Sequence, residues 1–383
     1  MTAIDDLRAI GIDIKELTDE EQELLKELLS ARESRRETSY EELKENYLAT
    51  RERDLASSSW DKHRRSLEYA VTWFTEFGPD DPRDVDGEDL REMIEWRVHE
   101  ATTKVAVLSP AAEKAFRDRV RCFVRFGENV NVFRDGLAEK VIPITLKKGE
   151  SVSDKIVDTE TAEKISSHLG KFNYASREHV VLEILIETGI RTGSLRSLDV
   201  DHYEPDAEVP HLSLQSQSDT DTRLKNGFEG ERKVAISKEL CKIIDDYLKN
   251  RRIITDEYGR EPLIGTRYGR ISTSTIQKYV YKWTRPCQLG LDCPHEREIE
   301  SCEATTANSF SKCPDNNSPH DVRRGYITEE LKNTDKFTIS ERCDVSPEVI
   351  EEHYDVRDEY DKMAARQKIL RKGRDSDTRY GGK

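Results

Sequence analysis

The spacing of apolar residues is helical along most of this chain, and that pattern limits the possible folds more than any other feature. In the stretches 67–77 and 116–126, apolar residues recur every three or four positions, as on the buried face of a helix. Patterns typical of short strands occur at 211–216 and 232–237, with a polar loop between them. We therefore predict a mainly α fold with a small antiparallel β-sheet in its second half.

Turn residues and helix-capping residues divide the chain into predicted segments. A linker is indicated where Pro143, Gly149 and Ser151 interrupt the helical pattern, and Asp158 is a candidate helix cap just after it. The predicted segments are a helical arm (1–38), a helical domain (39–140), a linker (141–157), a second domain (158–356) and a C-terminal tail (357–383). With 383 residues, the chain is long enough for two domains that each bury a core. We assign no function to the arm.

Two predicted helices of the first domain combine an apolar face with a basic one. The expected core residues are Leu67, Ala70, Val71, Phe74, Phe77, Phe116, Val120, Phe123, Val124 and Phe126. The basic residues are Lys62, His63, Arg64, Arg65, Lys114, Arg117, Arg119 and Arg121. A basic stripe is commonly just a solvated face, but it is also suited to lie against phosphate groups.

The overall charge and the start of the chain exclude some classes of protein. No apolar run approaches the roughly 20 residues that cross a bilayer, and the first residues turn acidic at Asp5 and Asp6, unlike a signal peptide. We expect a soluble cytoplasmic protein with no membrane partner. The net charge of −15 argues against a polyanionic partner, although binding depends on where the charges lie rather than on their sum.

Five residues in the second domain have side chains suited to chemistry on a phosphodiester: Arg191, Lys225, His320, Arg323 and Tyr354. An arginine guanidinium is permanently charged and its planar fork matches two phosphate oxygens, so two arginines from distant segments could clamp one phosphate. His320 and Arg323 are three residues apart and so share a helical face. The histidine titrates near neutrality and can transfer a proton to or from a nucleophile.

Each of these residues alone would more commonly have a structural role. An arginine at a helix end often binds carbonyl groups, a histidine often caps a helix, a lysine in a turn is usually solvated, and a tyrosine usually packs. Their order along the chain is what favours the functional interpretation. Tyr354 would then attack the phosphate and form a covalent phosphotyrosyl bond, which needs a base or nearby cations because the phenol is protonated near neutrality.

Three segments carry a resemblance to a known family: Thr188–Leu195 around Arg191, Pro319–Arg324 with His320 and Arg323, and Val345–Tyr354. They resemble the motifs of the tyrosine recombinase (phage integrase) family, and the likeness is closest to integrase-like members from salt-loving archaea. An acidic surface would suit a salt-rich cytoplasm.

This resemblance implies both an architecture and an activity. The segment 39–140 would be a helical, SAM-like core-binding domain and 158–356 the catalytic domain of a tyrosine recombinase. The implied activity is site-specific cleavage and rejoining of double-stranded DNA through a 3′-phosphotyrosine, by a homo-tetramer on paired DNA sites and without a cofactor for catalysis. The tail, including 360–370, could pack as a helix on a neighbouring subunit.

The resemblance also implies residue roles. Family members place a lysine on the hairpin that Lys225 occupies, as general acid toward the leaving 5′ oxygen, with Lys233 as the alternative here. The interval from Arg323 to Tyr354 is similar to that of the family, which makes Tyr360 and Tyr380 weaker candidates for the nucleophile.

One position departs from the family pattern. The family usually has a histidine or tryptophan nine positions before the nucleophile, and here that residue is Val345. Valine can neither donate a hydrogen bond to a phosphate oxygen nor share a proton. His353, Asp344 or a water molecule would have to take that role, or the site is slower and depends more on the two arginines.

Two other functions remain open. A type IB topoisomerase that relaxes DNA shares the same residue set, and a catalytically silent DNA-binding regulator is supported by Val345. A metal-dependent nuclease is disfavoured because no clustered acidic motif accompanies these basic residues.

A cysteine-rich insert lies at 287–313, just before His320. Its cysteines, Cys287, Cys293, Cys302 and Cys313, follow the spacing Cys-x5-Cys-x8-Cys-x10-Cys, and His295 lies among them as an alternative ligand. Four thiolates satisfy a tetrahedral zinc ion, and the surrounding segment has little apolar content that could order it otherwise. We predict a structural zinc that stabilises the loop before His320, with unconnected reduced thiols as the alternative.

Overall fold

The computed structural model describes residues 18, 38–101, 107–147, 155–355 and 357–377 of the chain, with side chains described to Arg371. The chain divides into two compact units between Val152 and Ser153. Almost all of the predicted arm, 1–38, therefore lies outside the described residues.

The described part of the first unit contains four α-helices. They are α1 (Tyr40–Glu52), α2 (Ser57–Glu76), α3 (Gly87–His99) and α4 (Pro110–Asn129). Side chains of Ser39, Asp86 and Ser109 accept hydrogen bonds from the first free backbone N–H groups of α1, α3 and α4, which fixes where these helices begin. The predicted helical character of this segment is confirmed.

The core of the first unit follows the predicted apolar faces with one exception. Leu67, Phe74, Val120 and Phe123 are buried in a single hydrophobic cluster. Phe77 was expected in this core, and that prediction is wrong, because the residue is 60% exposed. Helix α2 ends at Glu76, so the helical spacing no longer directs the next side chain toward the core.

The basic stripes of the first unit are largely paired with acidic neighbours. On α2, Arg64 and Arg65 both contact Asp61. On α4, Lys114 lies 2.7 Å from Asp118, and other arginines contact Glu113 and Glu139 in the same way. These helix faces are therefore closer to neutral than the sequence of their basic residues suggests.

The second unit is also mainly helical. In chain order its elements are α5 (Thr159–Phe172), α6 (Arg177–Thr188), α7 (Thr192–Ser197), β1 (Tyr203–Glu204), β2 (His211–Leu214), β3 (Arg232–Ala235), α8 (Lys238–Asn250), β4 (Gly265–Thr266), β5 (Gly269–Arg270), α9 (Thr273–Trp283), α10 (Pro319–Glu330), α11 (Lys336–Cys343), α12 (Pro347–Val349), a π-helical turn (Ile350–Tyr354) and α13 (Glu359–Asp377). The predicted fold class is confirmed.

The predicted pair of strands, β2 and β3, belongs to a three-stranded antiparallel sheet with β2 in its centre. Strand β2 pairs with β3 in the register His211 to Ala235 and Leu214 to Arg232, and β1 pairs with the other edge of β2. Strands β4 and β5 form a separate two-stranded ribbon. The connection between β2 and β3 is long and polar, and it carries Lys225.

Two glycines bring the helices of the second unit close together. Gly189 ends α6 with φ +59°, and a side chain there would come within 2.3 Å of Tyr326 on α10. Gly325 on α10 leaves no room for a Cβ atom, which would lie 1.8 Å from the carbonyl oxygen of Val157. The Val157 N–H donates to the carbonyl of Asp321 at 3.1 Å, so the segment before α5 is fastened to α10.

Both described ends of the predicted linker pack on their own units. Val141 is buried in the core of the first unit, and Val157 is buried in the core of the second. Residues 148–154, between them, lie outside the described residues. Within the described chain, no helix combines the length and apolar character needed to cross a membrane.

Candidate active site

The five predicted residues line one cavity of about 380 Å³ in the second unit. Arg191 precedes α7, Lys225 lies between β2 and β3, His320 and Arg323 lie on α10, and Tyr354 ends the π-helical turn. The fold therefore brings together side chains that are far apart in the sequence.

Arg191 lies at the entrance to α7, two residues after the glycine that ends α6. It has extended backbone geometry at the N-cap of α7, and its two terminal nitrogens donate to the side-chain carboxylate and the backbone carbonyl of Asp344. Burial, together with the charge of Arg323, lowers the pKa of Arg191. The guanidinium nevertheless stays charged near neutrality, because arginine starts from so high a value.

Arg323 is held more rigidly than Arg191. Its side chain is 2% exposed, and its two terminal nitrogens donate to the carbonyls of Gly189 and Cys343, each at 2.7 Å. Among the described residues its Nε has no hydrogen-bond partner. A guanidinium has five N–H donors, so these two bonds orient the group and leave donors for an oxyanion.

Helix α10 begins in a way that fixes His320 and Arg323 together. Ser318 and Asp321 form a capping box, with the Ser318 N–H donating to the Asp321 carboxylate at 2.7 Å and the Asp321 N–H donating back to the serine hydroxyl. Pro319 occupies the first helical position, where its missing N–H costs nothing. The cap places His320 in the first turn, at the edge of the cavity.

Tyr354 lies between His320 and Arg323. Its ring centroid is 5.4 Å from that of His320 and 5.7 Å from the guanidinium carbon of Arg323. The residue is 5% exposed, and Thr328 on α10 donates to its backbone carbonyl at 2.8 Å. Although the His320 side chain still meets solvent, desolvation by its surroundings and the charge of Arg323 lower the pKa of His320. Its neutral form is therefore favoured beside the phenol.

Lys225 is exposed at the rim of the cavity. Within the described chain it makes no ion pair, so its ammonium group is available to a ligand. Lys233, the alternative, lies on β3 at 3.4 Å from Glu204 and does not line the cavity. The structure thus brings Lys225, and not Lys233, to the other four residues.

The position of Val345 is explained by packing. The valine lines the cavity, and its side chain belongs to a small cluster with Ile339, Ile350 and Tyr354. His353 does not line this cavity, and its Nε2 lies 3.7 Å from Glu352. Of the two side chains predicted as replacements, Asp344 is the one that contacts a predicted site residue.

Asp344 lines a second cavity, of about 630 Å³. The two cavities share Arg191, Lys225 and Val345 in their linings. Besides Arg191, the Asp344 carboxylate accepts a hydrogen bond from Asn226 at 2.8 Å and lies 3.9 Å from Arg232. The residue ends α11 in the left-handed conformation, with φ +53° and ψ +60°, which directs the carboxylate into the site. Aspartate tolerates this conformation better than most residues.

Arg232 is a cation of this region that the sequence analysis did not single out. It donates to the carbonyls of Arg342 and Gly230, each at 2.7 Å, and its Nη2 has no hydrogen-bond partner among the residues described. Burial lowers the pKa of Arg232 to about 10. In the sequence, Arg232 begins a predicted strand. A strand pattern does not show whether its first residue lies beside a binding site.

Comparisons with known proteins agree with this geometry. Residues 155–299 match the phage integrase family. A stretch of 156 residues is 25% identical to the tyrosine recombinase XerC of Pseudomonas putida. The aligned stretch covers 40% of this chain and 48% of that protein, so this chain spans about half the length of the curated relative. The family match includes Arg191 and Lys225 and ends before His320.

Solved structures extend the likeness over most of the chain. The XerH site-specific recombinase in a post-cleavage complex with a palindromic difH substrate has a TM-score of 0.56 at 13% identity, covering 88% of this chain and 84% of that one. A lambda integrase tetramer bound to a Holliday junction has a TM-score of 0.57 at 13% identity, covering 86% and 82%. The chain has the tyrosine recombinase fold.

Two further groups in this recombinase fold have the residue types of a metal site. Asp199, Asp201 and His202 bring their ligand atoms within 4.8 Å of one another. Asp199, however, already pairs with Arg270 and lies 3.7 Å from Arg260, which explains its charge without a metal. The second group consists of the four predicted cysteines, which all line a separate small cavity together with His295.

Proposed function

We propose that this protein is a site-specific DNA recombinase that breaks and rejoins double-stranded DNA through a covalent 3′-phosphotyrosine at Tyr354. The observation that carries the proposal is the meeting of Arg191, Lys225, His320, Arg323 and Tyr354 around one cavity. The tyrosine recombinase fold of the chain supports it.

The proposed reaction divides the chemical work among these residues. Arg191 and Arg323 bind the non-bridging oxygens of the scissile phosphate and stabilise the charge of the transition state. The Tyr354 oxygen attacks the phosphorus and the bond to the 5′ oxygen breaks. His320 accepts the phenol proton, and Lys225 gives a proton to the departing 5′ oxygen. A 5′ hydroxyl from another strand then reverses these steps, so the phosphotyrosyl bond conserves the energy needed for rejoining.

Proton transfer requires a neutral histidine, and its surroundings favour that form. Desolvation and Arg323 lower the pKa of His320, so it is unprotonated near neutrality. Its ring lies beside that of Tyr354, within reach of a direct contact or of one bridging water molecule.

We further propose that the protein acts as a homo-tetramer on paired DNA sites. Helix α13 supports this assembly, because the apolar side chains of Tyr360, Met363 and Leu370 are exposed on it. Such side chains are suited to pack against a neighbouring subunit. The lambda integrase structure with a similar fold is itself a tetramer on a Holliday junction.

A salt-rich cytoplasm, as in salt-loving archaea, is the proposed setting. The net charge of −15 supports it, since acidic side chains keep a surface solvated and prevent association. The basic residues that would bind phosphate are concentrated instead at the cavity, where Arg191, Lys225 and Arg323 lie.

A strand-exchange assay tests the function. Two DNA duplexes of different length, each carrying the segments that flank the protein's own gene, are incubated with the protein and the recombinant lengths are counted. Recombinants that disappear with Tyr354→Phe and persist with Tyr360→Phe support the recombinase. Relaxation of supercoiled DNA without recombinants would indicate a type IB topoisomerase. Specific binding without either reaction would indicate a silent regulator, the alternative that Val345 favours.

A further inference from the structure

A separate small cavity of the second unit is lined by four cysteines, together with Arg285, His295 and Arg297. Cys287, Cys293, Cys302 and Cys313 all border it, although 26 residue numbers separate the first from the last. The cavity is about 20 Å³, which is close to the space that a single ion or water molecule fills. The chain has thus gathered four thiols around a space suitable for one small ligand.

The segment that carries these thiols has almost no core of its own. All of residues 286–317 are described, and their regular structure consists of three short 3₁₀ turns: Pro286–Leu289, Glu303–Thr305 and Phe310–Lys312. The buried apolar side chains in this range are Ala304 and Phe310, and neither belongs to a hydrophobic cluster of the protein. So little burial cannot offset the conformational entropy of ordering about thirty residues.

A few polar contacts fasten the segment at its base. Arg285 donates to the carbonyl of Ala304 at 2.6 Å and lies over the ring of Phe310 at 4.5 Å. Asn316 donates to the carbonyl of Phe310 at 2.8 Å. These contacts and the approach of His295 to Asp315 are polar and few, so a bound ion would add to the forces that order the segment around Cys293.

We propose that Cys287, Cys293, Cys302 and Cys313 bind one structural zinc ion, with His295 as the alternative to one of the cysteines. Four protein ligands around Zn²⁺ form a closed tetrahedral site, which stabilises a fold and leaves no open position for chemistry. This inference is independent of the proposed recombinase function, because it concerns how the segment folds.

Binding one zinc ion would require the four sulfur atoms to approach one another. In a tetrahedral site with Zn–S bonds of about 2.3 Å, the sulfur atoms lie about 3.8 Å apart. In the part of the chain that the structure describes, no three of these cysteine and histidine ligand atoms lie within 4.8 Å of one another. The four cysteines line the same cavity, so binding one ion would require their sulfurs to move closer together there.

His295 has the surroundings of a zinc-site histidine. Its Nε2 lies 2.8 Å from the Asp315 carboxylate, which leaves Nδ1 for another contact. Histidines that bind zinc commonly give their other ring nitrogen to a carboxylate, which fixes the ring. The same pair would also suit a histidine that lies beside four cysteine ligands without binding the ion, and the zinc content of His295→Ala separates the two arrangements.

The site lies directly before the helix that carries His320 and Arg323. After Cys313 the chain continues to Asn317, whose N–H donates to Thr284 at 2.8 Å, and then to Ser318, which caps α10. A zinc ion at Cys313 would therefore anchor the chain entering α10 and limit the motion of His320.

Metal analysis of the untagged full-length protein tests the proposal. We expect about one zinc per chain by mass spectrometry. Cys293→Ser and Cys302→Ser should lose most of the zinc, while Cys122→Ser, which changes an exposed cysteine of the first unit, should retain it. His295→Ala should lose zinc if the histidine is a ligand and retain it if four cysteines bind, and both results support a site here.

Two measurements on the unmodified protein cover the case in which the serine variants fail to fold. Cobalt(II) in place of zinc should give the thiolate-to-metal absorption and the visible bands of a tetrahedral sulfur site. Alkylation of the native protein should modify Cys122 quickly and the four cluster cysteines only after chelation. Sub-stoichiometric metal, with the cluster cysteines alkylated as fast as Cys122, would overturn the proposal.

Discussion

The 380 Å³ cavity and the small cavity lined by the four cysteines, called the cysteine cavity here, differ in what holds their side chains in place. In the 380 Å³ cavity, Arg323 donates to two backbone carbonyls and Tyr354 belongs to a hydrophobic cluster. In the cysteine cavity the side chains come from a segment whose regular structure is three short 3₁₀ turns, with hardly any buried apolar neighbours. Packing and hydrogen bonds hold the side chains of the first site, whereas in our proposal the second depends on a bound zinc ion.

This difference predicts unequal responses to perturbation. A substitution in the 380 Å³ cavity should strongly affect the proposed DNA cleavage, because the surrounding helices already fix the geometry of this cavity. Loss of the ligand in the cysteine cavity should affect stability first and chemistry second, through the start of α10. The following predictions are ordered from the largest expected effect to the smallest.

Arg323→Lys should give the largest loss. A lysine cannot bind the carbonyls of Gly189 and Cys343 while also offering a fork to phosphate oxygens. We expect the single-turnover rate of DNA cleavage to fall by about 10²–10³-fold, as when one transition-state donor is removed. Arg196→Lys on α7, where the arginine pairs with Asp221, is the matched control and should cleave normally. Equal losses in both variants would show that the effect does not come from the cavity.

Chelation should lower stability and slow cleavage together. For a domain of this size, about 1 kcal/mol of stability corresponds to roughly 2–4 °C in Tm, so a zinc contribution of about 2 kcal/mol or more should shift Tm by at least about 4 °C. Scanning calorimetry with and without a chelator measures the shift. The Cys293→Ser variant should show no further shift, because it has already lost the metal. A Tm that chelation leaves unchanged in the unmodified protein would mean that the cysteine cavity needs no ligand.

The pH dependence of cleavage should report His320. Its pKa is lowered, and the neutral form is the one that accepts the phenol proton, so activity is retained above this pKa and lost as the pH falls through it. The acid limb of the second-order cleavage rate should therefore lie below the ordinary histidine range. His320→Asn should be slow and lack this limb, whereas His99→Asn, on α3 of the first unit, should keep it. An unchanged limb in His320→Asn would assign the titration to another group.

Asp344→Asn should have the smallest effect, and in the opposite direction. The carboxylate pairs with Arg191 and would repel a phosphate bound by the same guanidinium. Asparagine keeps an oxygen acceptor and tolerates the left-handed backbone of this position. We expect DNA to bind about three- to tenfold more tightly, corresponding to roughly 1 kcal/mol.

A matched variant separates this local effect from a general change of charge. Glu341→Gln removes a carboxylate that lines the same 630 Å³ cavity but is not paired with Arg191, and it should bind DNA as the unmodified protein does. Weaker binding by Asp344→Asn would instead make the carboxylate a support that Arg191 requires.

The helices and the β2–β3 pair could be predicted from the sequence because their sequence signals are local. Asp158 caps α5 as predicted, since a helix cap depends on a few adjacent residues. The ordered set ending at Tyr354 also identified side chains that share one cavity. Phe77 was misassigned because periodicity alone does not show at which residue a helix ends.

The contacts around the site could not be predicted, because they depend on tertiary structure. The left-handed backbone at Asp344 directs its carboxylate to Arg191, and no local signal in the sequence requires it. The buried donor of Arg232 depends on how the long β2–β3 connection folds back. The packing of Val345 with Ile339 and Ile350 likewise appears only when α11 and the π-helical turn meet.

The most direct test is to map the covalent bond itself. The protein is incubated with supercoiled DNA carrying the segments that flank its gene, denatured, digested, and searched by mass spectrometry for a peptide that bears a nucleotide. The account predicts one modified peptide, with the nucleotide on Tyr354, that is absent from Tyr354→Phe. A nucleotide on Tyr360 or on any other residue, or DNA cleavage that persists in Tyr354→Phe, would contradict it.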